Sequence, residues 1–281
     1  MLVEAKRFFA LSILIPVITV LCSCTPVPTG PAKGTPAFYW QAARETFATG
    51  DYNKTLEHLD QILASDNEYT ARALPWSLML TSGMAAGYMD MADNYALGAR
   101  LNKSDPTSFH RQVSDNRALA NRLALQMAQN FSKVDQLKGD TVPLAFGYPK
   151  GNAAPIAQFQ KVAGGMPLPP AEMEAVLRQA VERGVLLAAC RAAGAANDTA
   201  KAEQVLKSAD AQVPKATFMA FLADGFFSVA QLYSTDKLDQ PQRVELLCER
   251  AQEALKAAPQ SKETRDLSTK IQNLLKKSKR T

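Results

Sequence analysis

From Thr35 onward, apolar residues recur three and four positions apart, and alternating β-branched runs are absent. Ala, Leu, Gln, Glu and Lys dominate the long segments, so the pattern predicts helices almost throughout. In the second helix expected within Tyr39 to Asn67, Leu56, Leu59, Ile62 and Leu63 fall on one stripe. A long helix is expected near Ser114 to Leu137, with Leu119, Leu123, Leu125 and Met127 as its apolar contacts. The last helix, Ser261 to Lys277, carries Leu267, Ile271 and Leu274 or Leu275 on one face and polar residues opposite. One stretch breaks the pattern: Gly139 to Pro170 holds six Pro and five Gly. A segment of that kind is not one regular helix, and loops of such length in compact domains are functional or act as linkers.

Helix-pair spacing repeats along the chain. Gly50-Asp51-Tyr52 reads as a turn, with Gly for the left-handed backbone and Asp to cap the next helix. Tyr39 lies eleven residues before Gly50, and Ala43 sits where a small side chain lets two helices approach. Trp76 lies eleven before Gly87, with Ala92 and Ala99 five and twelve after it, and Gly50 to Gly87 is 37 residues. Asn197-Asp198 marks a third turn, with Cys190 and Ala202 at close-packing positions and Pro214 at the end. A fourth copy runs from Phe221 to Pro259, its turn stretched through Ser234 to Pro241. These spacings resemble tetratricopeptide repeats. Thr55 and Asn67 depart from the Ala and Pro usual there, and the likeness covers about half the chain. The resemblance implies an all-α fold, an α-solenoid of antiparallel helix pairs closed by a C-terminal capping helix. It implies a groove lined by the first helices, with Gln41, Arg44 and Glu45 as binding residues of the first pair. Gly139 to Pro170 is then either an insertion that lines or plugs the concave face, or a linker between residues 36–138 and 171–281.

The N-terminus has its own pattern. Lys6 and Arg7 precede Phe8 to Leu21, fourteen residues without a charge. A membrane-spanning helix needs about 20, so the run fits the apolar core of a secretory signal. It ends in Leu21-Cys22-Ser23-Cys24, which resembles the lipobox of bacterial lipoproteins. The resemblance implies cleavage after residue 23 and lipid on Cys24. Modification at Cys22 would place Leu21 at the cut, where a small residue is needed. Thr25 follows, and not the Asp that retains such proteins at the inner membrane, which implies an outer-membrane address facing the periplasm. Residues 24–35, rich in Pro and Thr, read as an extended tether.

Composition adds limits. Hydrophobic residues are 47% and charged residues 21% of 281, enough to bury a core and inconsistent with disorder along the whole length. Loss of Glu4, Lys6 and Arg7 with the signal leaves 30 basic against 26 acidic residues, a net +4. Much of it sits in Lys276-Lys277-Ser278-Lys279-Arg280, which reads either as a solvated helix end or as a contact for anionic lipid. No interleaved basic and aromatic surface points to nucleic acid. Cys190 and Cys248 either pair, as an oxidising compartment permits, or serve separately as small core residues. Met79, Met84, Met89 and Met91 read as core filling or as a methionine-lined groove.

Catalytic signals are missing. His58 and His110 are the only imidazoles, and neither has a second ligand at metal-binding spacing. There is no Gly-x-Ser-x-Gly elbow and no phosphate-binding loop; Glu57 and Asp60 read as a solvated face. The sequence predicts a non-enzyme without metal or cofactor. Two functions compete: a protein-interaction scaffold in an envelope complex, and a ligand-binding component of a periplasmic solute transport system. An open groove favours the first, and a large apolar cavity closed by Gly139 to Pro170 favours the second.

Overall fold

The computed structural model describes residues 30–208 and 210–279. Among them are ten α-helices and one two-stranded antiparallel ribbon, so the chain is all-α in class. The signal, the lipobox with Cys24 and the first half of the tether lie outside the described residues.

The first pair forms as its residues dictate. Helix α1 (Pro36–Thr49) starts with Pro36 in its first turn and Thr35 as cap, whose hydroxyl accepts from the Phe38 N–H at 3.2 Å. It ends at Gly50, which takes φ 85° so that the next N–H groups return to Phe47 and Thr46. Asp51 then caps α2 (Tyr52–Leu63), accepting from Lys54 N–H at 3.1 Å. Ala43, Leu59 and Ile62 are fully buried between α1, α2 and the next helix.

The second pair does not form. Helix α3 (Thr70–Leu101) runs unbroken for 32 residues, about 48 Å at 1.5 Å per residue. Gly87 lies inside it, and not at a turn. Its absent side chain admits α6: a Cβ there would come 2.5 Å from the Ala180 carbonyl oxygen. Pro75 also lies within α3. α3 is the central column, packed by α2, α4 (Pro106–Phe131), α5 (Ala157–Ala163), α6 (Pro170–Ala192) and α8 (Lys215–Ala230).

The later pairs form as spaced. Asp198 caps α7 (Thr199–Leu206) against α6, and Cys190, Ala202, Leu186 and Ala195 make a small core there. α8 packs on α9 (Pro241–Lys256), and α10 (Lys262–Ser278) lies on α9 with Ile271 buried. Ser261 and Thr264 form a capping box at its start. Lys215–Tyr233 is long and apolar enough to cross a membrane by length and composition, yet 61% of its most apolar window is buried in this core.

Residues 139–170 hold more than a connection. Strand β1 (Thr141–Leu144) pairs with β2 (Ala211–Pro214), with Val142 opposite Val213, and both valines are buried. α5 covers the far end of α3, where Val162 joins Met91, Tyr95 and Phe109. One main core draws on residues before and after this stretch. Trp76 stands edge-on to Trp40 and Phe47 at one end, and Phe131 meets Phe226 at 4.9 Å nearer the other.

Cys190 and Cys248 are unpaired and buried in different clusters, so the disulfide alternative is corrected to two core residues. Burial pushes the Cys248 thiol up to about 12 and raises that of Cys190. Met79, Met84 and Met91 are fully buried, which is core filling; Met89 alone of the four reaches a cleft.

Candidate functional site

Three helices meet around one cleft. Near the middle of α3, small residues bring α6 and α8 into contact. A Cβ on Gly83 would lie 2.7 Å from the Val185 Cα, and one on Gly225 would lie 2.7 Å from the Ser82 hydroxyl. Such backbone-level contact fixes the crossing points by shape. Beside these contacts lies a cleft of about 540 Å³ lined by all three helices.

Its walls are charged, and the charges are distributed by helix. α3 supplies Asp90 and Asp93, one turn apart; α6 supplies Arg183 and Arg191, eight residues apart on one face. α8 supplies Asp224, and the loop after it supplies Lys237. Every charge has an opposite. Arg183 pairs with Asp90 at 3.2 Å, Arg191 with Asp224 at 3.2 Å and Lys237 with Asp93 at 2.7 Å. The three carboxylate side chains remain 53%, 46% and 44% exposed for Asp90, Asp93 and Asp224, so solvent reaches each pair. Pairs of that kind stabilise a fold by about 0–1 kcal/mol and break readily.

The charges also feel one another across the cleft. Burial raises the Asp90 pKa above the usual carboxylate range, Arg183 opposes that, and Asp93 adds to it. Lys237 and Arg191 lower it as well, although their own ion partners are Asp93 and Asp224. Asp90 therefore feels four of the other five charges of the cleft.

Two supports reach in from outside. Arg183 Nε donates to the Ala153 carbonyl at 3.2 Å, tying the 139–170 stretch to the rim. The Lys237 carbonyl accepts from Arg117 of α4 at 3.3 Å, which places the loop that carries the lysine. Between the charges, Leu187, Phe221 and Val229 supply apolar wall.

Gln41, Arg44 and Glu45 are elsewhere. All three are exposed on α1, where Gln41 Nε2 donates to Glu45 Oε1 at 2.8 Å, and none lines this cleft. His58 is half-buried beside Tyr39, and His110 is exposed near the start of α4. Among the described residues, no three His, Cys, Asp or Glu side chains are grouped to hold a metal ion.

Sequence reasoning missed the cleft residues because they belong to no motif. A signal was present: single charges set in apolar helix, as in Met89-Asp90-Met91-Ala92-Asp93 and Leu222-Ala223-Asp224-Gly225-Phe226. A charge in such a setting is costly unless it has a partner or lines an opening.

No protein-family model, curated protein or solved structure matches the chain. What the cleft does is read from its geometry alone.

Proposed function

We propose that this is a non-catalytic lipoprotein, held by lipid on Cys24 at the periplasmic face of the outer membrane, whose helical body is an interaction scaffold. In this reading α1–α2, α6–α7 and α8–α9 are degenerate tetratricopeptide-like pairs arranged around the α3 column. The partner is a segment of an envelope protein, seated in the cleft between α3, α6 and α8. The observation that carries the reading is the cleft itself: a concave, half-open site whose walls offer balanced charges and apolar surface.

The volume of the cleft also supports a second reading, a ligand-binding component of a solute transport system. About 540 Å³ falls within the range of small-molecule sites, and Ala153 of the Gly- and Pro-rich stretch stands on its rim.

A photo-crosslinking residue in place of Leu187, in intact envelopes, tests the site. One protein adduct, lost when Ala188→Trp fills the cleft, is expected for the scaffold. A small molecule that co-purifies with the chain and is lost in the same variant supports the transport reading. No adduct and no bound molecule overturn both. Mass analysis of the mature amino terminus tests the anchor; an unmodified sulfur there overturns it.

A further inference from the structure

The charge balance of the cleft narrows the chemistry of what it takes, and the inference rests on the second, ligand-binding reading proposed above. Three cations face three anions, and each ion pair joins two different elements. A ligand of single charge that enters one pair gains one partner and strands the other. A ligand with both charges can set its anion beside a cation of one pair and its cation beside an anion of another, exchanging water for two new contacts while the charges stay balanced. The exchange does not disturb the helix crossing, because that is set by the contacts at Gly83, Gly184 and Gly225 and not by the ions.

We propose that the cleft binds a short zwitterionic peptide, its carboxylate on Arg191 and its ammonium group on the Asp90–Asp93 wall. The two arginines are not equivalent. Arg183 is held twice, by Asp90 and by the Ala153 carbonyl. Arg191 makes its one side-chain hydrogen bond to Asp224, which leaves other N–H groups of its planar fork for a carboxylate. The Asp90–Asp93 pair of carboxylates, one helical turn apart, offers an ammonium group two acceptors.

Spacing sets the length. Asp90 lies against Arg183, and Arg191 follows Arg183 by eight residues, a rise of about 12 Å along α6. An extended peptide advances about 3.3 Å per residue, so three residues span about 10 Å and the contacts at the two ends make up the rest. Leu187 lies halfway between the arginines and Phe221 faces it from α8, which fits small apolar side chains in the middle of the ligand.

Calorimetric titration of the full chain in detergent with trialanine tests this. Its N-acetylated, C-amidated and doubly capped forms carry one charge or none. Trialanine is expected to bind at least tenfold tighter than any capped form. Arg191→Gln and Asp90→Asn, each checked for native helix content by circular dichroism, are each expected to weaken it at least tenfold. Capped forms that bind as well as trialanine overturn the zwitterion class and leave the cleft as the site. Trialanine binding that survives Ala188→Trp places the ligand elsewhere and overturns the proposal. No heat with trialanine, alongside the cleft adduct at Leu187, overturns the peptide class alone; neither heat nor adduct overturns the cleft reading as well.

Discussion

The carbonyl oxygen of Gly83 on α3 occupies the place that a Cβ on Gly184 of α6 would take. The two backbones touch there without intervening side chains, and the depth of the cleft beside them depends on that contact.

Gly184→Ala should therefore force the helices apart. A new methyl against backbone has no flexible neighbour to yield, and overpacking of this kind costs about 1–3 kcal/mol. Chemical denaturation should show a lower midpoint, and an exposed alanine replacement such as Glu174→Ala should leave it within error.

A buried polar contact joins α3 to α4. Asn130 Nδ2 donates to the Ser77 hydroxyl at 2.8 Å, with Ser77 fully buried. Ser77→Ala strands the amide and should cost about 1–3 kcal/mol. Asn130→Leu in the same background removes the stranded group, and a double-mutant cycle should return a coupling of about 1 kcal/mol.

Alkaline pH should weaken the fold through its buried thiol and phenols. Burial lifts Cys248 from an ordinary 9.0 to about 12, and raises Tyr52, Tyr95 and Tyr233 above 10.0. The folded chain thus holds these protons more tightly than the unfolded chain does. The stability linked to Cys248 is complete below pH 9 and is lost as pH rises toward 12. Urea midpoints measured from pH 8 to 11 should fall, and less steeply in Cys248→Ala. The same thiol should react with a disulfide reagent only after denaturant is added.

Arg183 links the cleft to the Gly- and Pro-rich stretch through Asp90 and the Ala153 carbonyl. Arg183→Met keeps most of the side-chain volume and removes both bonds. Amide hydrogen exchange in residues 151–156 should accelerate, with the amides of α3 little changed.

Which of these features could be read in advance depends on local chemistry. Gly50 and Gly87 stand at equivalent spacing, and only the first makes a turn. Asp51 follows Gly50 and caps a new helix, while Tyr88 follows Gly87 and offers no cap, so the helix continues. Asn197-Asp198 succeeded for the same reason as Gly50-Asp51: Asp198 accepts from the Lys201 N–H at 3.0 Å. The ribbon escaped notice because each strand is four residues long and includes a proline, Pro143 in one and Pro214 in the other. Its valines become strand residues only when the two segments meet. The cleft depended wholly on helix-to-helix placement: Asp90 and Arg183 are 93 positions apart, and nothing local to either announces the other.

The pairing of Thr141–Leu144 with Ala211–Pro214 has a consequence for how the molecule is made. Synthesised from its amino end, the chain presents the first of these segments some 70 residues before its mate exists. Val142 and Leu144 have no lid until the second segment arrives, and the α3 column cannot be sealed on that side sooner. Nascent chains cut short of residue 211 should remain protease-sensitive around Leu144, and maturation should arrive in one late step and not helix by helix.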